Sequence, residues 1–271
     1  MFTFAFIKVH NIPLETMSLI TFTSDFGTTD HYVAAVKARL YGLDARVQVV
    51  DISHQIERFN IAHGAFVLKS VYADFPPRTV HLLAVDAQSS QHRYIAVQLQ
   101  GHYFVSPDNG LVSLLSEQAP DKMVLLDIPE FTTFATKNVL APVAIALSQG
   151  IDIKKLGTSI TEVERKLPRV LKATKKQMVG HVVHVDHYGN LITNIDLETF
   201  QLLQQGVTFQ LRFGRETTRQ LHHHYHDVDY GEVFLLFNSN GWLEIGINQG
   251  NAHELLGLGY DSPIMIQFDR D

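Results

Sequence analysis

Residues 18–52 read SLITFTSDFGTTDHYVAAVKARLYGLDARVQVVDI. Two short apolar, β-branched runs, residues 18–23 and 46–52, flank a segment at 31–43 whose apolar residues recur at helical spacing. Asp30 immediately precedes this segment and is predicted to cap its amino end. A strand, a helix and a second strand in this order are typical of a parallel α/β sheet.

The alternation of strands and helices continues through the first half of the chain. Asn60 is predicted to open a second helix, and residues 79–85 and 94–99 form two further strand-like runs. The sequence therefore predicts an α/β N-terminal domain with a mostly parallel sheet over residues 18–165.

The second half of the chain has a different pattern. A basic segment of low apolar content, residues 166–177, is interpreted as a linker. After it come short strand-like runs separated by turns, with only brief helical segments such as residues 197–205. We expect an all-β C-terminal domain over residues 178–271, either a small barrel or a sandwich.

The composition narrows the possible chemistry. The 271 residues include no cysteine, which excludes disulfides, thiolate nucleophiles and cysteine-held zinc or iron–sulfur centres. The 22 Lys and Arg against 28 Asp and Glu give a net charge of −6, and a mildly acidic chain argues against a nucleic-acid partner. The 15 histidines leave both metal ligands and catalytic bases open.

The sequence also bears on location. No apolar run approaches the roughly 18 residues that a membrane span requires, so no membrane association is expected. Residues 1–17 lack the basic start, the sustained apolar stretch and the cleavage site of a signal peptide. They are either a native leader or sequence upstream of a true start at Met17, and we expect a cytoplasmic protein in both cases.

Polar side chains follow three predicted strands at their carboxyl ends, where ligands bind in parallel sheets. Asp25 is placed to accept hydrogen bonds from ribose hydroxyls or simply to shape an Asx turn. Asp51 ends the second strand, and Arg58 follows closely enough to fold back onto it, either as a catalytic ion pair or as an ordinary loop salt bridge. Asp86 ends the third strand in a loop without a glycine cradle, so a phosphate site is not indicated.

Other polar residues are open to two interpretations. His102 begins a strand-like run and is either structural or functional. Turns around Asp186, Asn190 and Ser239 fit β-hairpins, and their polar side chains are also available to a ligand. The histidine-rich loop at residues 221–227 resembles a metal tract. Adjacent side chains on a strand alternate faces and cannot converge on one ion, so no metal site is predicted.

Six ordered blocks resemble the S-adenosylmethionine (SAM) hydroxide adenosyltransferases, which are relatives of SAM-dependent chlorinases and fluorinases. The blocks are TSDFG (23–27), VVDISH (49–54), FNI followed by GA (59–65), GHYFVSPDNGL (101–111), DHYGNLITNI (186–195), and NSNGWLEI followed by NQGNA (238–252). They run in family order from residue 18 to the C-terminus, and the ordered set is specific where no single block would be.

The resemblance implies both a fold and an activity. The fold is an α/β N-terminal domain followed by a β-barrel-like C-terminal domain. The assembly is a homotrimer, with SAM bound between the N-terminal domain of one subunit and the C-terminal domain of its neighbour. The reaction is hydrolysis of SAM to adenosine and L-methionine by attack of an activated water on C5′, with SAM as substrate and without a cofactor or metal.

The resemblance also implies site residues. Matched position by position, the catalytic set of the hydroxide branch falls on Asp51, Arg58 and His102, and the halogenase branch differs at the last two positions. Whether Asp51 or His102 takes the proton from water stays open. Asp25 matches the ligand of the ribose hydroxyls, and Phe59 matches the residue that packs on the nucleoside. The further matched substrate contacts are Asp86, Ser89, Asp186, Tyr188, Asn190, Ser239, Asn248 and Gln249.

Two loops depart from the family pattern. An Asp-Pro-Gly-Val-Gly loop after the third strand is here DAQSS (86–90), and a His-Gly-Arg-Asp motif is here ATKN (135–138). These departures keep a second hypothesis open, a non-catalytic protein that binds SAM or adenosine. A halide-using enzyme is the third hypothesis.

Overall fold

The computed structural model describes residues 18–88, 92–128 and 132–269, and the statements below concern these residues. The chain forms two compact units, of which the first ends at Arg165 and the second begins at Lys166. The predicted leader at residues 1–17 and the predicted contact Ser89 lie outside the described residues.

A seven-stranded mixed sheet forms the centre of the first unit. Its strands are β1 (Leu19–Ser24), β2 (Gln48–Ser53), β3 (Val80–Ala84), β4 (Tyr94–Leu99), β5 (His102–Pro107), β6 (Lys122–Leu126) and β7 (Gly157–Ser159). Their order is β2-β1-β3-β5-β4-β6-β7. The pairs among β2, β1, β3 and β5 are parallel, whereas β4 and β7 run antiparallel to their neighbours. The predicted α/β fold with a mostly parallel sheet is confirmed.

Helices cover both faces of this sheet. They are α1 (Tyr32–Leu43), α2 (Ile61–Lys69) and α3 (Ala141–Ser148), and α3 continues directly from a π-helical turn at Thr136–Leu140. The side chain of Asn60 accepts the N–H of His63 and caps α2, as predicted. The predicted cap at Asp30 is wrong, because the residue before α1 is His31 and no side chain within the described part of the chain caps that helix.

Two apolar layers result from the alternation of side chains along the strands. Ile20 and Leu82 pack with α1 and α3 on one face of the sheet. Leu83 and Phe104 pack with α2 on the other face. The two faces are therefore distinct environments, and the face on which a polar side chain lies decides which groups it can meet.

An antiparallel sheet that curls into a half-barrel forms the second unit. Its strands are β8 (Lys172–Ala173), β9 (Gln177–Val185), β10 (Leu191–Asp196), β11 (Phe209–Phe213), β12 (Glu216–Thr218), β13 (Val233–Phe237), β14 (Trp242–Ile247) and β15 (Pro263–Phe268). The helices are α4 (Leu197–Gln204), which was predicted, and α5 (Ala252–Leu256), which was not. The barrel-like architecture implied by the resemblance is confirmed. The segment interpreted as a linker, residues 166–177, contains β8, which pairs with β9.

Among the described residues, no helix is both long enough and apolar enough to cross a membrane.

Candidate functional site

Three loops at the carboxyl ends of β1, β2 and β3 meet on the carboxylate of Asp25. The Oδ2 atom of Asp25 accepts the backbone N–H of Phe59 at 2.9 Å and that of Asp86 at 3.1 Å. The carbonyl of His54 accepts the N–H of Gly27 at 2.8 Å, which ties the first two loops together a second time. One carboxylate therefore organises the edge of the sheet at which parallel α/β proteins bind ligands.

The two residues that donate to Asp25 hold unusual backbone conformations. Phe59 has φ 63° and Asp86 has φ 49°. Left-handed conformations cost residues other than glycine on the order of 1–3 kcal/mol each, and such strain concentrates at functional sites. Because the Phe59 side chain is 72% exposed, this strained loop presents an aromatic ring to solvent directly beside a carboxylate.

Asp51, on β2, belongs to a row of polar side chains on the sheet face that α1 covers. The Lys37 Nζ of α1 lies 2.5 Å from Asp51 Oδ2, and His54 Nε2 lies 3.2 Å from Asp51 Oδ1. The second contact is at ion-pair distance but lacks the alignment of a hydrogen bond. The other ring nitrogen of His54 shares a 2.7 Å hydrogen bond with the hydroxyl of Ser24, which ends β1.

The surroundings set the protonation states in this row. Burial raises the pKa of Asp51, but the contacts with Lys37 and His54 outweigh burial, and the net pKa is lowered. Burial lowers the pKa of His54, and the neighbouring Asp51 only partly opposes this. At neutral pH an ionised carboxylate therefore lies beside a neutral imidazole, which is the pairing that a proton-accepting site requires.

The predicted pairing of Asp51 with Arg58 is wrong. Asp51 pairs with Lys37 and His54, and none of the ion pairs within the described residues involves Arg58. Arg58 is exposed and lies in the loop whose next residue, Phe59, is fixed by Asp25. The loop therefore ties its backbone to the carboxylate after β1 instead of bringing its guanidinium to the end of β2.

The structure does not bring His102 to Asp51. Asp51 on β2 is level with Phe22 on β1. Tyr103 on β5 is level with Ile20 of β1, and His102 precedes Tyr103, so His102 lies three residues below the level of Asp51 and three strands away from it. With strands about 4.8 Å apart and residues about 3.3 Å apart, the two Cα atoms are about 17 Å from each other. His102 also packs on Tyr72 and shares a hydrogen bond with His81, on the sheet face opposite Asp51.

His81 and His102 form a buried histidine pair instead. His81 Nε2 lies 3.2 Å from His102 Nδ1, and His81 Nδ1 lies 2.8 Å from the hydroxyl of Thr21. Burial, reinforced by His102, lowers the pKa of His81 from 6.5 to about 3. The pair is therefore neutral in the folded protein at physiological pH.

This pair predicts acid sensitivity. Below pH 6.5 the unfolded chain binds a proton at position 81 that the folded protein refuses until about pH 3. The free energy of unfolding should therefore decrease as the pH is lowered from 6.5 to about 3, by up to about 1.4 kcal/mol per pH unit from this one group. Urea unfolding at pH 7.5, 6.5 and 5.5 measures the slope. His81→Gln should make the slope shallower, and an unchanged slope would contradict the assignment.

A cavity of about 810 Å³ lies in the second unit. Asp186 Oδ1 accepts the backbone N–H groups of Tyr188 and Asn190 at 2.9 and 2.8 Å, so one carboxylate shapes the turn between β9 and β10. Five of the predicted substrate contacts line the cavity, namely Asp186, Tyr188, Asn190, Asn248 and Gln249. The sixth predicted contact of this half, Ser239, lies on an exposed turn and is not among the lining residues.

The floor of this cavity holds a buried carboxyl group. Glu244 is 4% exposed, and its oxygens accept the side-chain amides of Asn190 at 3.0 Å and Asn238 at 3.1 Å. Burial and the charge of Asp186 raise the pKa of Glu244. They outweigh the hydrogen bonds from Asn238 and Asn190, which lower it. The cavity thus combines aromatic walls with amide and carboxyl groups, the composition of a small-molecule site.

Comparison with known proteins covers both units. The model of the SAM hydroxide adenosyltransferase N-terminal domain matches residues 20–157, and the model of the C-terminal domain matches residues 180–265. The chain belongs to the SAM hydroxide adenosyltransferase family. The resemblance of the six sequence blocks is therefore confirmed.

Relatives of this SAM hydroxide adenosyltransferase family member cover nearly the whole chain. It is 32% identical to an (R)-S-adenosyl-L-methionine hydrolase of Methanocaldococcus jannaschii, over 93% of this chain and 97% of the relative. A crystal structure of an uncharacterized conserved protein from Thermotoga maritima matches with a TM-score of 0.84 at 30% identity, over 92% of this chain and 99% of that one. A fluorinase of Nocardia brasiliensis is 26% identical over 72% of this chain and 76% of its own.

Four residues of the two sites in this family member were given no role by the sequence predictions. Lys37 lies on α1, whose apolar residues identified only the buried face of the helix. Tyr225 lies in the histidine-rich loop and lines the cavity. His54 and Glu244 carried signals that were available. His54 stands three residues after Asp51, and Glu244 is a single acidic residue inside an apolar strand.

Proposed function

We propose that this chain hydrolyses S-adenosyl-L-methionine to adenosine and L-methionine. The observation that carries the proposal is Asp25. Two backbone amides hold its Oδ2 atom where three parallel strands end, and its Oδ1 atom makes no hydrogen bond among those of the described residues. Such an oxygen suits the paired hydroxyls of a ribose. The relative named (R)-S-adenosyl-L-methionine hydrolase supports the substrate and the reaction.

The chemistry needs little from the protein beyond position and charge. C5′ of SAM is open to in-line attack, because the sulfonium leaves as a neutral thioether. Attack by hydroxide neutralises opposite charges, so a site that excludes bulk water favours the reaction. Correct orientation alone can contribute about 7–11 kcal/mol to lowering the barrier. The site must also help to remove a proton, because the pKa of bulk water is near 15.7.

In our proposal Asp51 binds and orients the attacking water. Its lowered pKa keeps it ionised, and its carboxylate is the group to which we assign the proton of the water. The neutral His54 holds this carboxylate in position, because one ring nitrogen of His54 faces Asp51 and the other bonds to Ser24. The Lys37 ammonium favours hydroxide near Asp51. Arg58 and His102 enter the catalytic set only through the family resemblance, and the separation of His102 from Asp51 argues for His54 as the histidine of the set.

The proposed substrate contacts divide by the part of SAM that they suit. Asp25 and the exposed ring of Phe59 suit the ribose and the nucleoside face, and Asp86 donates its N–H to Asp25. Ser89 is assigned to the same part of SAM from the family resemblance alone. The adenine and methionine ends are assigned to Asp186, Tyr188, Asn190, Ser239, Asn248 and Gln249. Five of these line one cavity, which supports their assignment as a group.

The assembly and location are part of the same proposal. We expect a homotrimer with its sites at subunit interfaces, as the resemblance implies, and a cytoplasmic protein. Light scattering of the purified chain tests the trimer, and cell fractionation tests the location. A monomeric protein that hydrolyses SAM at full rate would contradict the interface sites.

Incubation of the purified chain with SAM tests the reaction directly. Adenosine and methionine should form in equal amounts and be seen by chromatography, at a rate independent of chloride and fluoride. A halogenated adenosine that forms only when halide is present would favour the halogenase hypothesis. The similarity to a fluorinase is the reason to consider that hypothesis. No product despite tight SAM binding would overturn hydrolysis.

The second candidate function, binding without catalysis, rests on a specific observation. The two segments that depart from the family pattern lie close together, since the Gln88 side chain donates to the carbonyl of Thr133, two residues before the second segment, at 3.0 Å. Phe134, just before residues 135–138, also packs against Phe26 beside Asp25, with ring centroids 5.9 Å apart. Both departures thus lie at the same edge of the sheet. Calorimetry that gives tight adenosine binding without turnover would support this function.

The role of His102 yields a prediction. Because His102 is 6% exposed and supports His81 and Tyr72, His102→Ala should lower the free energy of unfolding by about 1–3 kcal/mol. It should leave kcat within about threefold of the unaltered chain below the melting range, whereas His54→Ala should not. Urea unfolding and SAM turnover measure the two effects. A folded His102→Ala variant without activity would restore His102 to the catalytic set.

A further inference from the structure

The histidine-rich loop of the second unit is a series of turns and not a strand. His222 anchors its start, because its N–H donates to the carbonyl of Leu235 at 2.6 Å and its Nδ1 accepts the N–H of Leu235 at 3.0 Å. Side chains after His222 therefore do not alternate between two faces. The reason for which the sequence analysis excluded a metal site does not hold for this loop.

Three side chains of the loop converge. His224, His226 and Asp227 each offer one ligand atom, and these atoms lie within 4.8 Å of one another. His224 Nδ1 is 3.5 Å from Asp227 Oδ1. Zn–N and Zn–O bonds of about 2.0–2.2 Å place neighbouring ligands of a tetrahedral site about 3.3 Å apart. One edge of the triangle is already close to that length, and exposed side chains can close the others by rotation.

The backbone of the loop holds the carboxylate in place. Asp227 Oδ2 accepts the N–H groups of His223 and His224 at 2.8 and 3.0 Å, and the carbonyl of His224 accepts the N–H of Asp227 at 3.2 Å. These bonds occupy one carboxylate oxygen and direct the other toward the His224 ring. A cation would therefore find an ordered oxygen beside two imidazoles.

We propose that His224, His226 and Asp227 bind a divalent transition-metal ion. Two imidazole nitrogens and one carboxylate oxygen suit Zn²⁺, Ni²⁺ or Cu²⁺, whereas Mg²⁺ and Ca²⁺ prefer sites made of oxygen alone. Three protein ligands leave at least one coordination position for water. All three side chains are exposed, so the ion has direct access.

The site would act on the cavity through Tyr225. Tyr225 stands between the two histidine ligands in the sequence, its ring packs edge-on against Phe234 with ring centroids 5.1 Å apart, and its hydroxyl lies near the carboxyl group of Glu244. Both Tyr225 and Glu244 line the cavity. An ion held by His224 and His226 would fix the position of Tyr225 between them before the ligand binds. A cavity wall that is already ordered binds its ligand more tightly. This consequence rests on the proposed function, since it takes adenosine as the ligand.

Metal binding is tested with the full chain produced without a polyhistidine tag. Zn²⁺ is titrated in competition with a chromogenic chelator, in the presence of excess Mg²⁺. The unaltered chain should bind one Zn²⁺, and His224→Ala, His226→Ala and Asp227→Asn should each weaken binding at least tenfold. His223→Ala is the matched control, because it removes a neighbouring imidazole outside the triangle, and it should stay within twofold.

Two results would overturn the site. One is the absence of stoichiometric Zn²⁺ binding by the unaltered chain, and the other is an equal loss in His223→Ala and His224→Ala, which would indicate a diffuse polyhistidine effect. The link to the cavity has its own readout. Saturating Zn²⁺ should tighten adenosine binding at least threefold in the unaltered chain and not in His224→Ala. Zn²⁺ binding without this change overturns the link alone, and no adenosine binding under any condition overturns the proposed function.

Discussion

Asp51→Asn should lower kcat for SAM hydrolysis by about 10²- to 10⁴-fold, the range expected when a proton-transfer group is lost. The amide keeps the size of the side chain but loses the charge that pairs with Lys37 and His54. Adenosine affinity should change little, because Asp51 is assigned to the water and not to the nucleoside. Single-turnover rates and calorimetry on the same preparation separate the two effects.

The control for Asp51→Asn is Asp152→Asn. Asp152 is another carboxylate of the first unit, with a 3.8 Å ion pair to Lys122 that resembles the Lys37 contact in kind but lies on an exposed turn. Its replacement should leave kcat unchanged. An Asp51→Asn variant that retains kcat within threefold of the unaltered chain would remove Asp51 from the proposed mechanism.

Asp25→Ala should weaken adenosine binding by about 10²-fold, which corresponds to about 2.7 kcal/mol. The change removes the proposed acceptor of the ribose hydroxyls and also leaves the N–H groups of Phe59 and Asp86 without their partner. Hydrogen bonds to a charged group contribute about 1.5–3 kcal/mol each, so a loss of this size needs only one or two of them. Isothermal titration with adenosine measures the change.

Asp25→Asn separates the two causes. Its amide oxygen can still accept both backbone N–H groups, so the loops keep their arrangement, while the charge offered to the ribose is lost. We expect an affinity about tenfold below that of the unaltered chain and well above that of Asp25→Ala. Equal affinities for all three proteins would show that nucleoside binds elsewhere.

The parts of the site that follow from local pattern could be predicted from the sequence. Residues 18–52 specify a strand, a helix and a strand, and parallel strands bring their carboxyl ends to one edge, so the loops of Asp25 and Asp51 could be expected to meet there. The cap at Asn60 is equally local. These predictions needed only the periodicity of side chains and the polarity of the loops.

The structure contradicts the predicted contact of Arg58 with Asp51 and does not bring His102 to Asp51. Both outcomes depend on the path of a loop or on the level of a residue within the sheet. Arg58 is close to Asp51 along the chain, but the bond from Phe59 to Asp25 fixes its loop, and Lys37 reaches Asp51 from the preceding helix. His102 was assigned by its position in a motif, which carries no information on which end of β5 it occupies. The segment at residues 221–227 was predicted to be a solvated loop, and only its turns decide which of its side chains meet.

The position of β15 has a consequence for how the second unit is made. This strand pairs with β9 on one side and with β11 on the other. Both of these strands are synthesised well before β15. Until residues 263–268 emerge, β11 and β12 have no link to β9, and the apolar side chains of Met178 and Leu211 lack the Ile266 that packs between them. Such long-range closure slows folding and leaves strand edges open to wrong partners in the meantime. The first unit, whose last strand ends at Ser159, can complete its sheet while the second is still being synthesised.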